Sequence, residues 1–250
     1  MDERTQTWRC IRVGKLVSNV WLLPDTPDGP VLVDAGFHSQ WGTILQNMRK
    51  HGVTVRELRG VLLTHRHVDH AANAARLSAV HGIPVYAHGA DAAFLRGDAT
   101  PRPLPEPKGI VGMFARIENH FPARIPGVVP VQHGDVIAGL EALAMPGHTE
   151  GSVFWWHRAS GTLFSGDTLL NAQPPLVYRV GLNLPYVAFC DDYDESLRSL
   201  ERFAQWEGEV QRVCPGHGPE RVGPVRERLT KLLKAHRLGV RRTRQRKVGE

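Results

Sequence analysis

The residues best able to do chemistry stand in one short run, His65-Arg66-His67-Val68-Asp69-His70, in which four of six side chains can ligate a metal ion. His65 and His67 are two apart in an extended segment and can point the same way, whereas Asp69 and His70 turn toward a second position as a helix begins. Three further groups lie where a strand runs out into a glycine-rich or polar loop: His148 in Gly147-His148-Thr149, Asp167 in Ser165-Gly166-Asp167-Thr168, and His217 in Pro215-Gly216-His217-Gly218. An isolated histidine is ordinarily a hydrogen-bonded structural residue, but this grouping is dense enough to serve two metals at once. Imidazole with carboxylate suits borderline divalent ions, zinc above all, with manganese or iron as alternatives. Seven such side chains exceed what one tetrahedral zinc needs, so a carboxylate shared between two ions is implied. Five neutral histidines and two aspartates give −2 against +4 from two divalent ions. Even with a bridging hydroxide, about +1 remains to stabilise developing negative charge.

Those loops need strands and helices to hold them. Leu16 to Leu23 reads as a strand, Pro24 to Pro30 as a turn, and Val31 to Gly36 as a second, buried strand. Trp41, Ile44, Leu45 and Met48 recur at helical spacing, with Gly52 as a stop. Val61 to Thr64 is a short buried strand leading into the His/Asp run, followed by a helix and the strand 83–88, an order that places reactive side chains beyond a strand's carboxyl end. The proline-dense stretch 101–126 reads as an irregular excursion with one short helix, its Met113, Phe114 and Phe121 either covering an active site or packing into the core.

From Val128 the segments 128–132, 140–145, 152–157 and 161–166 read as an antiparallel meander. Asp191 or Asp192 can cap a helix through Leu197, Leu200 and Phe203, residues 210–214 make one more strand, and Val225, Leu229, Leu232 and Leu233 stripe a last helix. Trp155 and Trp156, adjacent in one strand, face opposite ways, so the outward indole sits either under a helical layer or at a homodimer interface. Both halves run strands first and helices last, which predicts two packed sheets with helices outside.

Composition excludes several classes. At 250 residues, 42% hydrophobic and 22% charged, the chain is neither disordered nor fibrous, and no run approaches the roughly 18 apolar residues of a membrane span. The opening MDERTQTWRC lacks the apolar core of a secretory signal, so a cytoplasmic enzyme is the expectation. Cys10, Cys190 and Cys214 form neither a disulfide framework nor a zinc-finger spacing. The net charge of +6 is concentrated at the end: residues 231–250 carry eight basic residues against one acid, leaving the rest at about −1. The division expected is a single domain over 1–238 and a basic tail over 239–250. A nearly neutral body argues against a nucleic-acid groove, and RRTRQRK at 241–247 is either solvated or a weak contact for RNA or an acidic partner.

In their order, and with Asp34 at the end of an earlier strand, these motifs resemble the metallo-β-lactamase superfamily over residues 14–220. The resemblance implies an α/β fold, a four-layer αββα sandwich of two mixed β-sheets flanked by helices. It implies that His65, His67 and His148 hold one metal and Asp69, His70 and His217 the other, with Asp167 bridging and Asp34 orienting a ligand histidine or the following turn. Asp69 followed by His70 is similar to the branches related to lactonases and glyoxalase-II-like thioesterases, although Glu150 and Ser152 depart from their Gly-His-Thr-Pro-Gly-His pattern. The 49 positions between Asp167 and His217 leave no room for the large inserted domain of RNA-processing members.

The implied activity is that of a dinuclear hydrolase in which a metal-bound hydroxide attacks the carbonyl of an ester, lactone, thioester or amide. Asp69 is the candidate to orient the hydroxide and carry its proton, and Tyr186 or Tyr178 the candidate to assist the oxyanion. The apolar stretch after Asp167, including Leu176, Val177, Leu182, Leu184, Val187 and Phe189, either favours a small-molecule substrate with a partly apolar acyl group or simply covers a sheet edge. Phosphodiester hydrolysis and iron-based redox chemistry, as in persulfide dioxygenases, are the alternatives.

Overall fold

Short runs of branched and aromatic residues form the strands, and a computed structural model describes them within residues 8–100, 123–172 and 180–248. β1 (Ile11–Gly14), β2 (Val20–Leu23), β3 (Val31–Val33), β4 (Gly60–Leu62), β5 (Val85–His88) and β6 (Val129–Val131) pair in sequence order into one six-stranded sheet. Its first three strands are antiparallel and β3 to β6 are parallel. The next strands are β7 (Val136–Ile137), β8 (Leu140–Ala144), β9 (Val153–His157) and β10 (Thr162–Gly166), then a two-stranded ribbon of β11 (Leu170–Ala172) and β12 (Val180–Asn183). β13 (Arg212–Pro215) and β14 (Arg221–Val222) complete a second six-stranded sheet ordered β14-β13-β10-β9-β8-β7, in which only the β10–β13 pair is parallel.

Alternation along the strands then sorts side chains into layers. On β2, Leu22 packs with Leu32 and Val61 beneath α1 (Trp41–Lys50), α2 (Val68–His81) and α3 (Gly89–Arg96), while Trp21 and Leu23 face the other sheet. On β9, Val153 and Trp155 face inward between the sheets, whereas Phe154 and Trp156 lie beneath α4 (Tyr193–Gln205) and α5 (Val225–Val248). The result is the αββα sandwich of two mixed sheets. Both adjacent indoles are buried: Trp155 donates to the Leu63 carbonyl across the sheets at 3.0 Å, and Trp156 packs edge-on against Trp206.

Several boundaries differ from the sequence expectation. The strand expected from Leu16 begins only at Val20, because Ser18 and Asn19 are polar ties: Ser18 Oγ donates to the Asp69 carbonyl, and Asn19 Nδ2 to the carbonyls of Pro215 and Gly218. The strand expected to reach Gly36 stops at Val33, since Asp34 turns into the left-handed region at φ +58. Asp192 is the helix cap, accepting from Glu195 N at 2.8 Å. The last helix does not end ahead of the basic run but carries its backbone to Val248, in keeping with the good helix propensity of Arg, Lys and Gln. Most of the proline-rich excursion lies outside the described residues. Among those described, no helix is long and apolar enough to cross a membrane.

The carboxyl ends of β3, β4, β8, β10 and β13 gather at one edge of the sandwich. There Val153 N donates to the Thr64 carbonyl and Asn19 N to that of Gly216, stitching the two sheets together, while Gly216 N donates to the Gly166 carbonyl beside it in the second sheet. Replacing Trp155 by Ala empties the contact between the sheets and strands a carbonyl, and is expected to cost about 3–5 kcal/mol. Val222→Ala, on an exposed side chain, is expected to stay within about 0.5 kcal/mol. Urea unfolding of the two variants checks this; equal, small losses contradict the packing described.

Candidate metal centre

His65 follows β4, His67 stands at the N-terminus of α2, and Asp69 and His70 occupy its first turn. Asp34, just past β3, accepts from Thr64 N (2.8 Å) and Thr64 Oγ1 (2.9 Å) and lies 2.8 Å from His70 Nδ1. Thr64 Oγ1 in turn sits 3.0 Å from His65 Nδ1. With their Nδ1 atoms so engaged, His65 and His70 present Nε2 to the centre. His148 meets Cys190 Sγ through Nδ1 and turns its Nε2 to within 3.1 Å of His67 Nδ1. Asp34 thus orients one candidate ligand directly and another through Thr64, the role expected of it.

All seven sequence-predicted residues converge. His65, His67 and His148 form one group with donor atoms within 4.8 Å of one another, Asp69, His70 and His217 a second, and His65, His70 and Asp167 a third that joins them. Asp167 Oδ1 is 3.4 Å from His70 Nε2, and its Oδ2 is 3.1 Å from His217 Nε2; Asp69 Oδ2 lies 3.4 Å and 3.3 Å from the same two nitrogens.

The pocket fits a pair of cations by two observations. His65 Nε2, His70 Nε2 and Asp167 Oδ1 are buried without a well-formed hydrogen bond, the last two facing each other at 3.4 Å, a costly arrangement that a bound cation would relieve. Any side chain at Gly216 would place its Cβ 2.1 Å from Asp167 Oδ1 and 2.7 Å from His70 Cε1, so glycine is what keeps the cradle open.

Electrostatically the two halves are opposites. Burial, reinforced by neighbouring imidazoles, holds His65 and His67 well below the ordinary histidine value, and burial lowers His148 to about 4. Burial also pulls on His70 and His217, but Asp69, Asp34 and Asp167 outweigh it at His70, which stays well above its usual value. Asp167 and Asp69 do the same at His217, raising it to about 10. Asp69 and Asp167, despite burial, are held well below the carboxylate range by His70 and His217. At neutral pH the metal-free pocket therefore holds three neutral imidazoles on one side and an imidazolium–carboxylate cluster on the other.

Tyr186, half-buried at the turn before Val187, is pushed above its usual value by burial and by the charge of Asp167. Tyr178 lies outside the described residues. Arg66, Asp91, Asp191 and Cys190 also stand around the ligands, places that the sequence pattern does not predict: Asp191 reads there only as a cap candidate and Cys190 only as an unpaired cysteine. The one available signal was Asp91, an acid inside the apolar run Gly89–Leu95.

Residues 13–217 match the family model described as the metallo-beta-lactamase superfamily. The chain belongs to that superfamily. Within it, the chain is 26% identical to the probable metallo-hydrolase YflN of Bacillus subtilis (strain 168), over 86% of each protein. It is 28% identical to the hydroxyacylglutathione hydrolase of Hahella chejuensis, over 61% of this chain and 48% of that one. Among solved structures, TTHA1623 in a di-iron-bound form aligns with a TM-score of 0.58 and 29% identity, covering 86% of this chain and 94% of that one. Superfamily membership, together with the clustered donors, supports a dinuclear metal centre and metal-dependent hydrolytic chemistry in general terms.

Because His217 is raised to about 10, its pairing stabilises the metal-free fold fully below the usual histidine value and loses that contribution as pH rises through about 10. Cations entering the cluster must displace the protons of His70 and His217. Zinc titration calorimetry at pH 7, in buffers of different ionisation enthalpy, is expected to show net release of more than one proton per chain. Zero release contradicts the charge states described.

Proposed function

We propose that the chain is a dinuclear metal-dependent hydrolase acting at the carbonyl of an ester, lactone, thioester or amide, with zinc the leading metal and manganese or iron as alternatives. The observation that carries this reading is the joining of two donor groups through His65, His70 and Asp167, whose inward-facing atoms are buried without a hydrogen bond. His65, His67 and His148 would hold one ion and Asp69, His70 and His217 the other, with Asp167 facing both. Two divalent cations bound there supply Lewis acidity and a water that ionises near neutral pH.

The chain's own groups divide the remaining work. Asp69 keeps about a fifth of its side chain exposed, so its carboxylate can take the proton of an attacking water and deliver it to the leaving atom. Tyr186 stays protonated at neutral pH and can donate to the oxyanion, with Tyr178 as the other candidate. Leu16 is exposed on a loop that Ser18 ties to Asp69, and exposed Val187 adjoins Tyr186; both support a substrate with a partly apolar acyl group. The hydroxyacylglutathione hydrolase relative supports the thioester among these bonds. The di-iron form of TTHA1623 supports iron among the candidate metals, and with iron the second reading is an iron-dependent oxidoreductase.

Elemental analysis of the purified protein, paired with a panel of lactones, esters, thioesters and a phosphodiester, tests the proposal. Two zinc or manganese ions per chain, with carbonyl turnover at least 100-fold above that of a His67→Ala, His148→Ala variant, is the expected result. Iron with substrate-dependent oxygen uptake would instead select the second reading, and phosphodiester turnover exceeding all others would overturn the carbonyl assignment.

A further inference from the structure

Between the two ligand histidines of the motif lies Arg66, whose side chain is only 4% exposed. Its guanidinium reaches Asp191 through two bonds, Nη1 to Oδ2 at 2.9 Å and Nη2 to Oδ1 at 2.8 Å, and Asp91 Oδ1 through Nη1 at 3.2 Å. The ring of Phe94 stacks against it with 4.4 Å to the centroid. Its backbone N–H also donates to Asp91 Oδ2 at 2.7 Å.

The same two carboxylates hold the loop that carries His148. Asp91 accepts from Thr149 Oγ1 and Gly151 N, and Asp191 accepts from Glu150 N. Asp191 N donates to the His148 carbonyl, and the neighbouring Cys190 places its thiol 3.7 Å from His148 Nδ1. Gly151 is pressed so closely on Asp91 that a Cβ there would lie 2.6 Å from its carboxyl carbon. These bonds end on residues 66 and 148–151, beside His65, His67 and His148. The other half of the centre is held without Arg66, by Asp34 on His70, Ser18 on the Asp69 carbonyl, and Asn19 on the carbonyls of Pro215 and Gly218; of these only Asp34 also reaches the first half, through Thr64 to His65.

Buried ion pairs gain little net stability over well-packed apolar groups, whereas a bidentate guanidinium–carboxylate pair fixes geometry closely. We propose that Arg66, clamped between Asp91 and Asp191, is a positioning residue that sets the three-histidine site selectively, in addition to the Asp34–Thr64 support that reaches both halves. This rests on the dinuclear reading above. The clamp locks two loops from different sheets, 65–67 and 147–151, in the register at which their imidazoles converge. Weakening it lets His148 drift from His65 and His67 while Asp69, His70 and His217 keep their own supports.

The test isolates each half. In a His217→Ala background zinc is left the three-histidine site, and in a His148→Ala background the other. Zinc affinity is then measured on metal-free protein by competition with a chromophoric chelator, with and without Asp191→Asn. The expected result is a Kd weaker by about 10- to 100-fold in the first background and within about twofold in the second. Arg66→Lys keeps the charge but loses the planar fork, and is expected to give a smaller loss with the same selectivity. Equal losses in both backgrounds, the signature of a merely structural role, overturn the proposal, as does an unchanged Kd in the first. Wild-type protein binding fewer than two zinc ions overturns the dinuclear reading itself.

Discussion

The centre depends on a buried carboxylate that never reaches it. Asp34 sits in the left-handed backbone region, uncommon for a residue with a side chain, and from there meets Thr64 at both backbone and hydroxyl and His70 at its ring. Through Thr64 it also fixes the ring nitrogen that His65 uses inward. A strand that ran on to Gly36 would point this side chain elsewhere, so the early stop of β3 is part of the site. The fold serves the same end by bringing five strand ends to one edge.

What those ends carry is a cluster that protein groups alone leave unsatisfied. The inward atoms of His65, His70 and Asp167 are buried without a well-formed hydrogen bond, and His70 and His217 hold protons only because of their carboxylates, Asp34, Asp69 and Asp167 at His70 and Asp69 and Asp167 at His217. The opposite side, with three neutral imidazoles, is already in the protonation state that ligation requires. One half is thus ready for a cation, and the other must first exchange protons for it. This asymmetry follows from where the acids fall: Asp34, Asp69 and Asp167 meet at His70, whereas the acids near His148 are turned to Arg66.

Much of this was legible in the sequence because metal-competent side chains are rare at such density, and because strand, loop and helix alternate in a way that fixes where loops emerge. The seven candidate ligands, a helix cap at Asp191 or Asp192 and the opposite-facing indoles of Trp155 and Trp156 follow from local pattern, whereas the choice of Asp192 as the cap does not. The Arg66 clamp did not, since it joins residues 66, 91 and 191, whose separations carry no periodicity and whose types are ordinary surface ones. Local pattern runs Ser18 and Asn19 into the following strand, because their polar contacts lie with Asp69 and Pro215, far along the chain. Long-range polar bonds are invisible to any pattern read over a few residues.

The central claim is that the cluster holds two cations sharing one carboxylate. Anomalous diffraction from crystals of metal-replete protein, collected on both sides of the zinc absorption edge, tests it most directly. Two peaks per chain are expected, one about 2.0–2.2 Å from nitrogens of His65, His67 and His148 and one at the same range from Asp69, His70 and His217, with Asp167 touching both. A single peak, or none with His70 and His217 still paired to the carboxylates, would contradict it.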